Sequence, residues 1–218
     1  MEDIAILGVG MHPWGKWGRN FTEYGVKAAQ DALADAEVGW DEIQFVSGAN
    51  SVRCGYPGYV SASTFANALG FTGCQLASSY AACASGATAL SIARAQIHSG
   101  VCDVALVVGA ESTPKGFFAP NAGERHEDPD WLRFHLVGAT NPTYFALYAR
   151  RRMELYGDTS EDFAAVKVKN SRHGVFNPNA RYAKEYDAED IANSPMVADP
   201  LRQLEICATS LRWAGASR

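Results

Sequence analysis

One stretch decides the fold of this chain: Ser78-Ser79-Tyr80-Ala81-Ala82-Cys83-Ala84-Ser85-Gly86-Ala87-Thr88-Ala89-Leu90. An extended run from Cys74 to Ala82 meets small residues here and passes into a helical pattern. The helical pattern places three residues on one face, namely Leu90, Ala93 and Ile97. It therefore predicts a strand that leads directly into a helix, with Cys83 at the junction between them.

A cysteine at this junction has a chemical meaning. The first backbone N–H groups of a helix have no partner within the helix, and the helix dipole places about half a positive charge there. Both effects favour a thiolate, the nucleophilic form of cysteine. Small neighbours would let a substrate carbonyl approach Cys83, and the backbone amides of Ala84 and Gly86 could bind an oxyanion. The alternative is that Cys83 is only a small buried apolar residue.

Composition and charge exclude several classes of protein. The chain has 218 residues, of which 47% are hydrophobic and 20% charged, enough for a domain with a real core. The net charge of −5 argues against a broad surface for nucleic acid or membrane lipid. No run of about 20 apolar residues occurs, so no membrane span is predicted.

Cysteine usage and the first residues predict a cytoplasmic location. The acidic start at residues 1–3 does not resemble a secretory signal. The five cysteines are scattered and form no CxxC pair, which favours reduced thiols over disulfides or a zinc site. His126 and His135 are too loosely spaced to be metal ligands, so no metal site is predicted.

Strands and helices alternate along the first part of the chain. The pattern predicts strands at 4–10, 44–49, 74–82 and 103–111. It predicts helices at 23–36, 60–69 and from residue 83 to about 99. Thr22 is expected to cap the first helix. One face of that helix should carry four residues, namely Tyr24, Ala28, Ala32 and Leu33.

This alternation predicts an α/β fold with a mostly parallel or mixed sheet covered by helices. Sites in such folds lie beyond the carboxyl ends of the strands. Cys83 and the turn Glu111-Ser112-Thr113 should therefore lie at the same edge of the sheet.

The pattern changes after residue 113. The first domain is predicted at 1–113, an inserted domain at 114–197, a return towards the sheet at 198–210, and an atypical tail at 211–218. Strong helices should begin at Asn141 and near Thr159. The insertion is rich in cations, of which Arg150, Arg172 and Lys169 are candidates for binding a phosphate-bearing carrier. The alternative is an ordinary solvated surface.

These segments together resemble the thiolase superfamily, in its lipid-transfer or sterol-carrier-type branch. The resemblance runs from the start of the chain to about residue 210, and the helix that begins Asn141-Pro142-Thr143 is its most branch-specific part. Its other principal segments are Ile6-Leu7-Gly8-Val9-Gly10, Ala82-Cys83-Ala84-Ser85-Gly86 and Val107-Val108-Gly109-Ala110-Glu111-Ser112.

The resemblance implies a fold and an activity. Members carry two similar halves, with a loop domain inserted in the first, and use a cysteine thiolate to take an acyl group from coenzyme A thioesters. Cys83 would be that nucleophile, and the insertion at 114–197 would receive coenzyme A. No permanently bound cofactor is implied, since the acyl-CoA is the substrate. Relatives suggest lipid or sterol side-chain degradation and a homodimer formed through the strand before Cys83.

The end of the chain departs from the family pattern. In relatives, the segment 205–210 continues into a glycine- and alanine-rich strand, whereas here a short basic tail follows. We expect this chain to be the first half only, without the family's second cysteine, its histidine and its asparagine. No residue can then be assigned as base or second acid, so whether this chain is an enzyme stays open. It is expected to be inactive and poorly stable alone.

Two rival functions remain open. One is an aldolase-type lyase, which cleaves a β-hydroxyacyl-CoA without a covalent intermediate and works with an OB-fold, zinc-ribbon partner. The other is a non-catalytic subunit that binds acyl-CoA or serves as a scaffold. The intact motif Cys83-Ala84-Ser85-Gly86 favours the thiolase, and the missing second half favours the binding subunit.

Overall fold

The computed structural model describes residues 4–15, 17–51, 60–112, 127 and 140–207. The chain divides into two compact units, Met1–His12 with Lys16–Pro114, and Pro13–Gly15 with Lys115–Arg218. Several expectations lie outside the described residues, among them those for His126, His135 and the tail at 211–218. The four domain ranges given above therefore stay predictions.

The first unit is built on a parallel sheet. Its elements are α1 (Phe21–Ala36), β1 (Phe45–Ala49), α2 (Ser61–Leu69), β2 (Gln75–Ser79), α3 (Ser85–His98) and β3 (Ala105–Gly109). The strands lie in the order β2-β1-β3, and both pairings are parallel. The predicted α/β fold with a parallel sheet is confirmed.

Helices cover β1 on both faces. The Ser47 hydroxyl donates a hydrogen bond of 2.8 Å to the carbonyl of Ala89 in α3. The next residue, Gly48, lies so close to α2 that a Cβ atom there would be 2.3 Å from the backbone nitrogen of Ala62. Because successive strand residues point to opposite faces, α2 and α3 lie on opposite sides of the sheet. All five residues of β1 are buried as a result.

The main core lies between the sheet and the helices α1 and α2. Phe65 is fully buried, and its ring meets the ring of Phe21 edge-on at 5.6 Å between centroids. Val46, Leu106 and Val108 belong to the same cluster. This core fixes the sheet whose carboxyl edge carries Cys83.

The prediction for the start of α1 is wrong by two residues. Asn20, rather than Thr22, caps the helix, because its side chain accepts from the Glu23 N–H at 3.0 Å while the Glu23 carboxylate accepts from the Asn20 N–H at 3.4 Å. The buried positions are Phe21, Gly25 and Ala29. The predicted face, at Tyr24, Ala28, Ala32 and Leu33, is only half-buried. The close contact of Gly25 with Phe65 explains why the small residue faces the core.

The prediction of a buried strand at 4–10 is also wrong. These residues form no strand in the structure, and large apolar side chains are exposed at Ile6, Leu7 and Val9. A strand needs a hydrogen-bonded neighbouring strand. Residues 4–10 lie along the helix α1 instead. The Val9 N–H donates to Asp35 Oδ2 at 2.9 Å. A Cβ on Gly10 would lie 2.1 Å from a backbone oxygen of α1, so glycine permits the close approach.

The second unit contains three described helices and a small hairpin. They are α4 (Asn141–Tyr156), α5 (Ser160–Gly174), α6 (Ala188–Ala192), β4 (Met196–Ala198) and β5 (Leu201–Arg202). The predicted helix starts near Asn141 and Thr159 are confirmed, and Gly157 ends α4 in the left-handed conformation. Ala146, Ala149 and Leu201 form a small core between α4 and the antiparallel β4-β5 pair.

None of the described helices combines the length and the apolar character needed to cross a membrane.

Candidate functional site

Cys83 lies between β2 and α3, as predicted. β2 ends at Ser79, a single 3₁₀ turn covers Ala82–Ala84, and α3 begins at Ser85. The Cys83 side chain is exposed, so the alternative of a buried apolar cysteine is wrong. The thiol therefore lies where parallel α/β folds place their sites.

The face of α3 that meets the sheet differs from the prediction. Ser85, Ala89 and Ala93 are buried, whereas Leu90 is 49% exposed. The reason is the hydrogen bond from Ser47 to the Ala89 carbonyl, which holds a line of small residues against β1. Only Ala93 of the predicted set is buried.

The turn before Cys83 has an unusual backbone. Ala82 has φ of 47°, in the left-handed region that residues other than glycine seldom adopt. Such conformations persist only where the surrounding contacts hold them, and they are frequent at active sites.

The two candidate oxyanion donors differ. The Ala84 N–H already donates to the carbonyl of Ala81 at 2.9 Å. Gly86 is exposed, and among the described residues no atom lies within 4 Å of a Cβ placed on it. The oxyanion role of both residues stays a prediction, and for Ala84 it requires that its hydrogen bond be shared.

Ser85 ties this turn to the sheet. Its Oγ lies 2.9 Å from the backbone nitrogen of Ala81, 2.8 Å from the carbonyl oxygen of Asn50 and 2.7 Å from that of Ala82. The Ser79 hydroxyl donates to the Ser85 carbonyl at 2.9 Å. The side chains of Ser79 and Ser85 are both buried, so water does not compete for these bonds.

Asn50 connects the ends of all three strands. It follows β1 directly, its N–H donates to the carbonyl of Ser79, the last residue of β2, at 3.2 Å, and its side-chain amide donates to the Ala110 carbonyl after β3. Glu111 joins the same edge, since its carboxylate accepts from the Ser51 N–H at 2.9 Å. Cys83 and Glu111 are thus both near this edge, as expected. Sequence reasoning missed Asn50, although a polar residue at the end of a buried strand is a usable signal.

The described cysteines differ from one another in their environments. Cys74, Cys83, Cys102 and Cys207 are all free thiols. Cys102 is buried, and burial, with a smaller contribution from the charge of Asp103, raises the pKa of its thiol. Within the described ranges, no group of three or more His, Cys, Asp or Glu residues could hold a metal ion.

The candidate phosphate-binding cations belong to the second unit. Arg150 on α4 forms an ion pair with Asp199, and both side chains are more than half exposed. Lys169 and Arg172 lie three residues apart on α5 and are exposed. In the part of the chain that the structure describes, neither of these two has an acidic partner. Arg150 lies on a different helix from these two residues, and its ion-pair partner among the described residues is Asp199.

Sequence reasoning missed a cluster of cations and tyrosines in this unit. The Lys167 ammonium lies 5.6 Å from the ring centroid of Tyr182 and 5.2 Å from that of Tyr186. The Arg181 guanidinium lies over the ring of Tyr182, and the Lys184 ammonium lies over the ring of Tyr186. Burial lowers the pKa of Lys167. These contacts brace the segment that follows α5 against the helix.

Comparison with known proteins identifies the family. Residues 4–207 match the family described as "Thiolase, N-terminal domain". The chain therefore belongs to the thiolase family, which confirms the resemblance seen in its sequence.

Individual relatives agree with this assignment. Sterol carrier protein 2 of Bos taurus is 30% identical over 223 residues, which cover 95% of this chain and 39% of that protein. Acetyl-CoA acetyltransferase of Methanothermobacter thermautotrophicus is 32% identical over 216 residues, which cover 94% of this chain and 54% of that protein. The chain thus spans about half or less of the length of these curated relatives.

A solved structure shows the same fold. The Ltp2-ChsH2(DUF35) aldolase matches with a TM-score of 0.71 at 24% sequence identity. The match covers 94% of this chain and 52% of that chain. At this identity, the similarity concerns the fold and not the reaction.

Proposed function

We propose that this chain supplies the nucleophile of a thiolase-type acyl transfer on coenzyme A thioesters, with Cys83 as the catalytic residue. The observation that carries the proposal is the exposed Cys83 thiol in the turn between β2 and α3. Membership of the thiolase family supports the reaction class.

The chemistry has two steps. The Cys83 thiolate attacks the thioester carbonyl, so that an Sγ–C bond forms and the bond between the acyl carbon and the CoA sulfur breaks. CoA leaves as a thiolate and takes up a proton. The second CoA thioester, acetyl- or propionyl-CoA, loses an α-proton to a base outside the residues assigned here, and its enolate carbon attacks the acyl carbon. A C–C bond forms, the Sγ–C bond breaks and the Cys83 thiolate is regenerated; the same steps can run in reverse. The Gly86 amide and, by sharing its bond, the Ala84 amide would stabilise the oxyanion.

Coenzyme A would meet the cations of the second unit. We assign its phosphates to Arg150, Arg172 and Lys169, because guanidinium and ammonium groups bind phosphate oxygens well. Arg150 would have to exchange Asp199 for a phosphate, which is feasible because this pair is solvent-exposed. Sterol carrier protein 2 among the relatives supports a lipid or sterol acyl chain as the substrate. A cytoplasmic location is part of the same proposal.

A homodimer through β2 fits the topology of the first unit. β2 is an edge strand of the described sheet, with β1 on one side and no described strand on the other. An edge strand offers unpaired N–H and carbonyl groups to a second copy. Since β2 leads to Cys83, such a dimer would also support the turn that holds the nucleophile.

A second candidate is an aldolase-type lyase that acts on a β-hydroxyacyl-CoA. The Ltp2-ChsH2(DUF35) aldolase has the same fold, which makes this reaction a candidate to be tested. An OB-fold, zinc-ribbon protein is the partner proposed with it. This reaction passes through no acyl-enzyme, so it would not need the Cys83 thiolate as a nucleophile. A binding subunit without catalysis is the third outcome of the test.

Intact-mass measurement after incubation with acetyl-CoA and with a longer acyl-CoA separates these functions. The thiolase proposal expects one acyl adduct, present in the Cys207→Ala variant and absent in the Cys83→Ala variant. Cys207 is the matched control, because it is also an exposed thiol in the described structure. An adduct that persists in Cys83→Ala would refute the nucleophile assignment.

The other two functions give different results. Turnover of a β-hydroxyacyl-CoA by Cys83→Ser, with the partner protein added, would indicate the aldolase. Binding of coenzyme A with neither adduct nor turnover would leave only the binding subunit. Phosphate contacts are tested by Arg172→Gln, which should weaken coenzyme A binding, with the exposed Arg151→Gln on α4 as the control. Analytical ultracentrifugation tests the homodimer.

A further inference from the structure

The side chain of Ser85 makes contacts that its position at the start of a helix does not require. Serine at the first position of a helix usually leaves its hydroxyl to water or to a local cap. Here the residue is only 4% exposed, and its Oγ reaches three backbone groups from two parts of the chain. Two of them belong to the turn before Cys83, and the third ends the central strand.

The hydrogen-bond capacity of a hydroxyl limits how these contacts work. The oxygen accepts from the Ala81 N–H, and its single proton is shared between the carbonyls of Asn50 and Ala82. The Ser85 Oγ atom is therefore hydrogen-bonded both to the Ala81 N–H and to the Ala82 carbonyl. Its bond to the Asn50 carbonyl fixes the same atom relative to β1. Asn50 is itself held to the ends of β2 and β3.

These bonds act on the residue whose backbone is strained. Ala82 has φ of 47°, which alanine leaves unless neighbouring contacts hold it. Rotation at Ala82 would swing the next residue, Cys83, away from the first turn of α3. The Ala82 carbonyl is one of the groups that the Ser85 hydroxyl holds, at 2.7 Å.

We propose that Ser85 is a positioning residue that sets the place of the Cys83 sulfur at the start of α3 by holding the Ala81–Ala82 turn against the end of β1. A catalytic role for Ser85 depends on the proposed function, in which Cys83 is the nucleophile. Its effect on Cys83 is a property of the fold alone and can be measured without any acyl-CoA.

The test compares the rate at which iodoacetamide alkylates Cys83, measured by site-resolved mass spectrometry at one fixed pH. Ser85→Ala and Ser85→Val should lower this rate about fivefold to tenfold, because the sulfur then spends less time in the exposed position that the turn gives it. Ser85→Thr keeps the hydroxyl and should stay within about twofold of the parent. Threonine and valine have nearly the same shape, so their difference isolates the hydroxyl even where alanine prevents folding.

Ser79→Ala is the matched control for stability. It removes a buried hydroxyl that donates to the Ser85 carbonyl and, unlike the Ser85 hydroxyl, does not hydrogen-bond to Ala81 or Ala82. Ser79→Ala should lower the melting temperature as Ser85→Ala does, while leaving the Cys83 rate within about twofold of the parent. Equal Cys83 rates in Ser85→Thr and Ser85→Val, or equal losses in Ser79→Ala and Ser85→Ala, would overturn the proposal.

The same variants keep the two proposals apart. Acylation of the parent chain by acetyl-CoA is followed in parallel. An unacylated parent would count against the proposed function, whereas the alkylation rates would still decide the role of Ser85. An acylated parent with no difference between Ser85→Thr and Ser85→Val would retain the function and reject the positioning role.

Discussion

Replacing Gly25 by alanine tests the packing between α1 and α2. An alanine inside a helix is worth up to about 1 kcal/mol more than glycine, so propensity alone predicts a more stable protein. The structure predicts the opposite. A Cβ on Gly25 would lie 2.2 Å from Cε1 of Phe65 and within 2.9 Å of two further ring atoms. Carbon atoms at rest are about 3.5–4.0 Å apart, so the ring would have to move by more than 1 Å.

The ring of Phe65 has little room for such a shift, since it is fully buried and packs on Phe21. Overpacking of a core costs about 1–3 kcal/mol, and more when the neighbours cannot yield. Because the buried ring cannot yield, the cost falls in the upper part of this range, about 2–3 kcal/mol, and after subtraction of a propensity gain of about 1 kcal/mol we expect Gly25→Ala to lose about 1–2 kcal/mol. For a unit of about 100 residues, this corresponds to a fall in melting temperature of roughly 5–10 °C.

Urea unfolding followed by circular dichroism measures this change. Gly86→Ala in α3 serves as the stability control, because a Cβ there meets no described atom within 4 Å, so the propensity gain is not cancelled and the variant should be at least as stable as the parent. In a Phe65→Leu background, the cost of Gly25→Ala should fall by at least about half, since the clashing ring is gone. A Gly25→Ala variant as stable as the parent would refute the packing described here.

Three further predictions concern other parts of the chain. The Thr159 backbone N–H and hydroxyl donate to Asp162 and lower the pKa of its carboxyl. The stabilisation of α5 by this cap is therefore present at neutral pH, and it is lost as the pH falls below the ordinary Asp pKa of about 3.9. The difference in urea midpoint between Asp162→Asn and the parent should therefore shrink in acid. Ser47→Ala should lower the free energy of unfolding by about 1 kcal/mol, because a buried hydrogen bond to α3 is lost. Cys102, whose pKa is raised by burial, should react with a thiol reagent at pH 8 at least about tenfold more slowly than the exposed Cys83.

Each of these predictions has a contrary result. A constant gap between Asp162→Asn and the parent from neutral to acid pH would show that the cap does not depend on the charge. An unchanged unfolding curve for Ser47→Ala would mean that this bond contributes no stability. Equal reaction rates of Cys102 and Cys83 in the native protein would show that the thiol reagent reaches Cys102, and thus that this residue is not buried.

Local signals in the sequence predicted the parts of the fold that depend on neighbouring residues. The junction at Cys83 combines an extended run, small residues and a helical period between Cys74 and Ile97, and the structure has a strand, a turn and a helix there. Gly157 and Thr159 marked the end of α4 and the start of α5 by well-known capping rules.

The errors concern contacts between distant parts of the chain. An apolar run such as 4–10 shows that a segment can be buried in a sheet, but not which strand would pair with it. At Gly25 and Ala89, small residues face the core because another element approaches closely, and hydrophobicity scales assign such positions little weight. Asn50 and Ser85 matter through bonds between residues 35 apart, and a sequence pattern contains no information about that distance.

The alanine at position 82 has a consequence for how this turn can be redesigned. Glycine would adopt a φ of 47° with less strain, but it would also give the free chain more conformations to lose on folding. Alanine reduces the number of conformations open to the unfolded loop. In the folded loop, neighbouring contacts must hold it in a strained backbone conformation. An engineered glycine would relieve that strain and let the loop sample several shapes, so the turn at Cys83 would lose its single well-defined geometry.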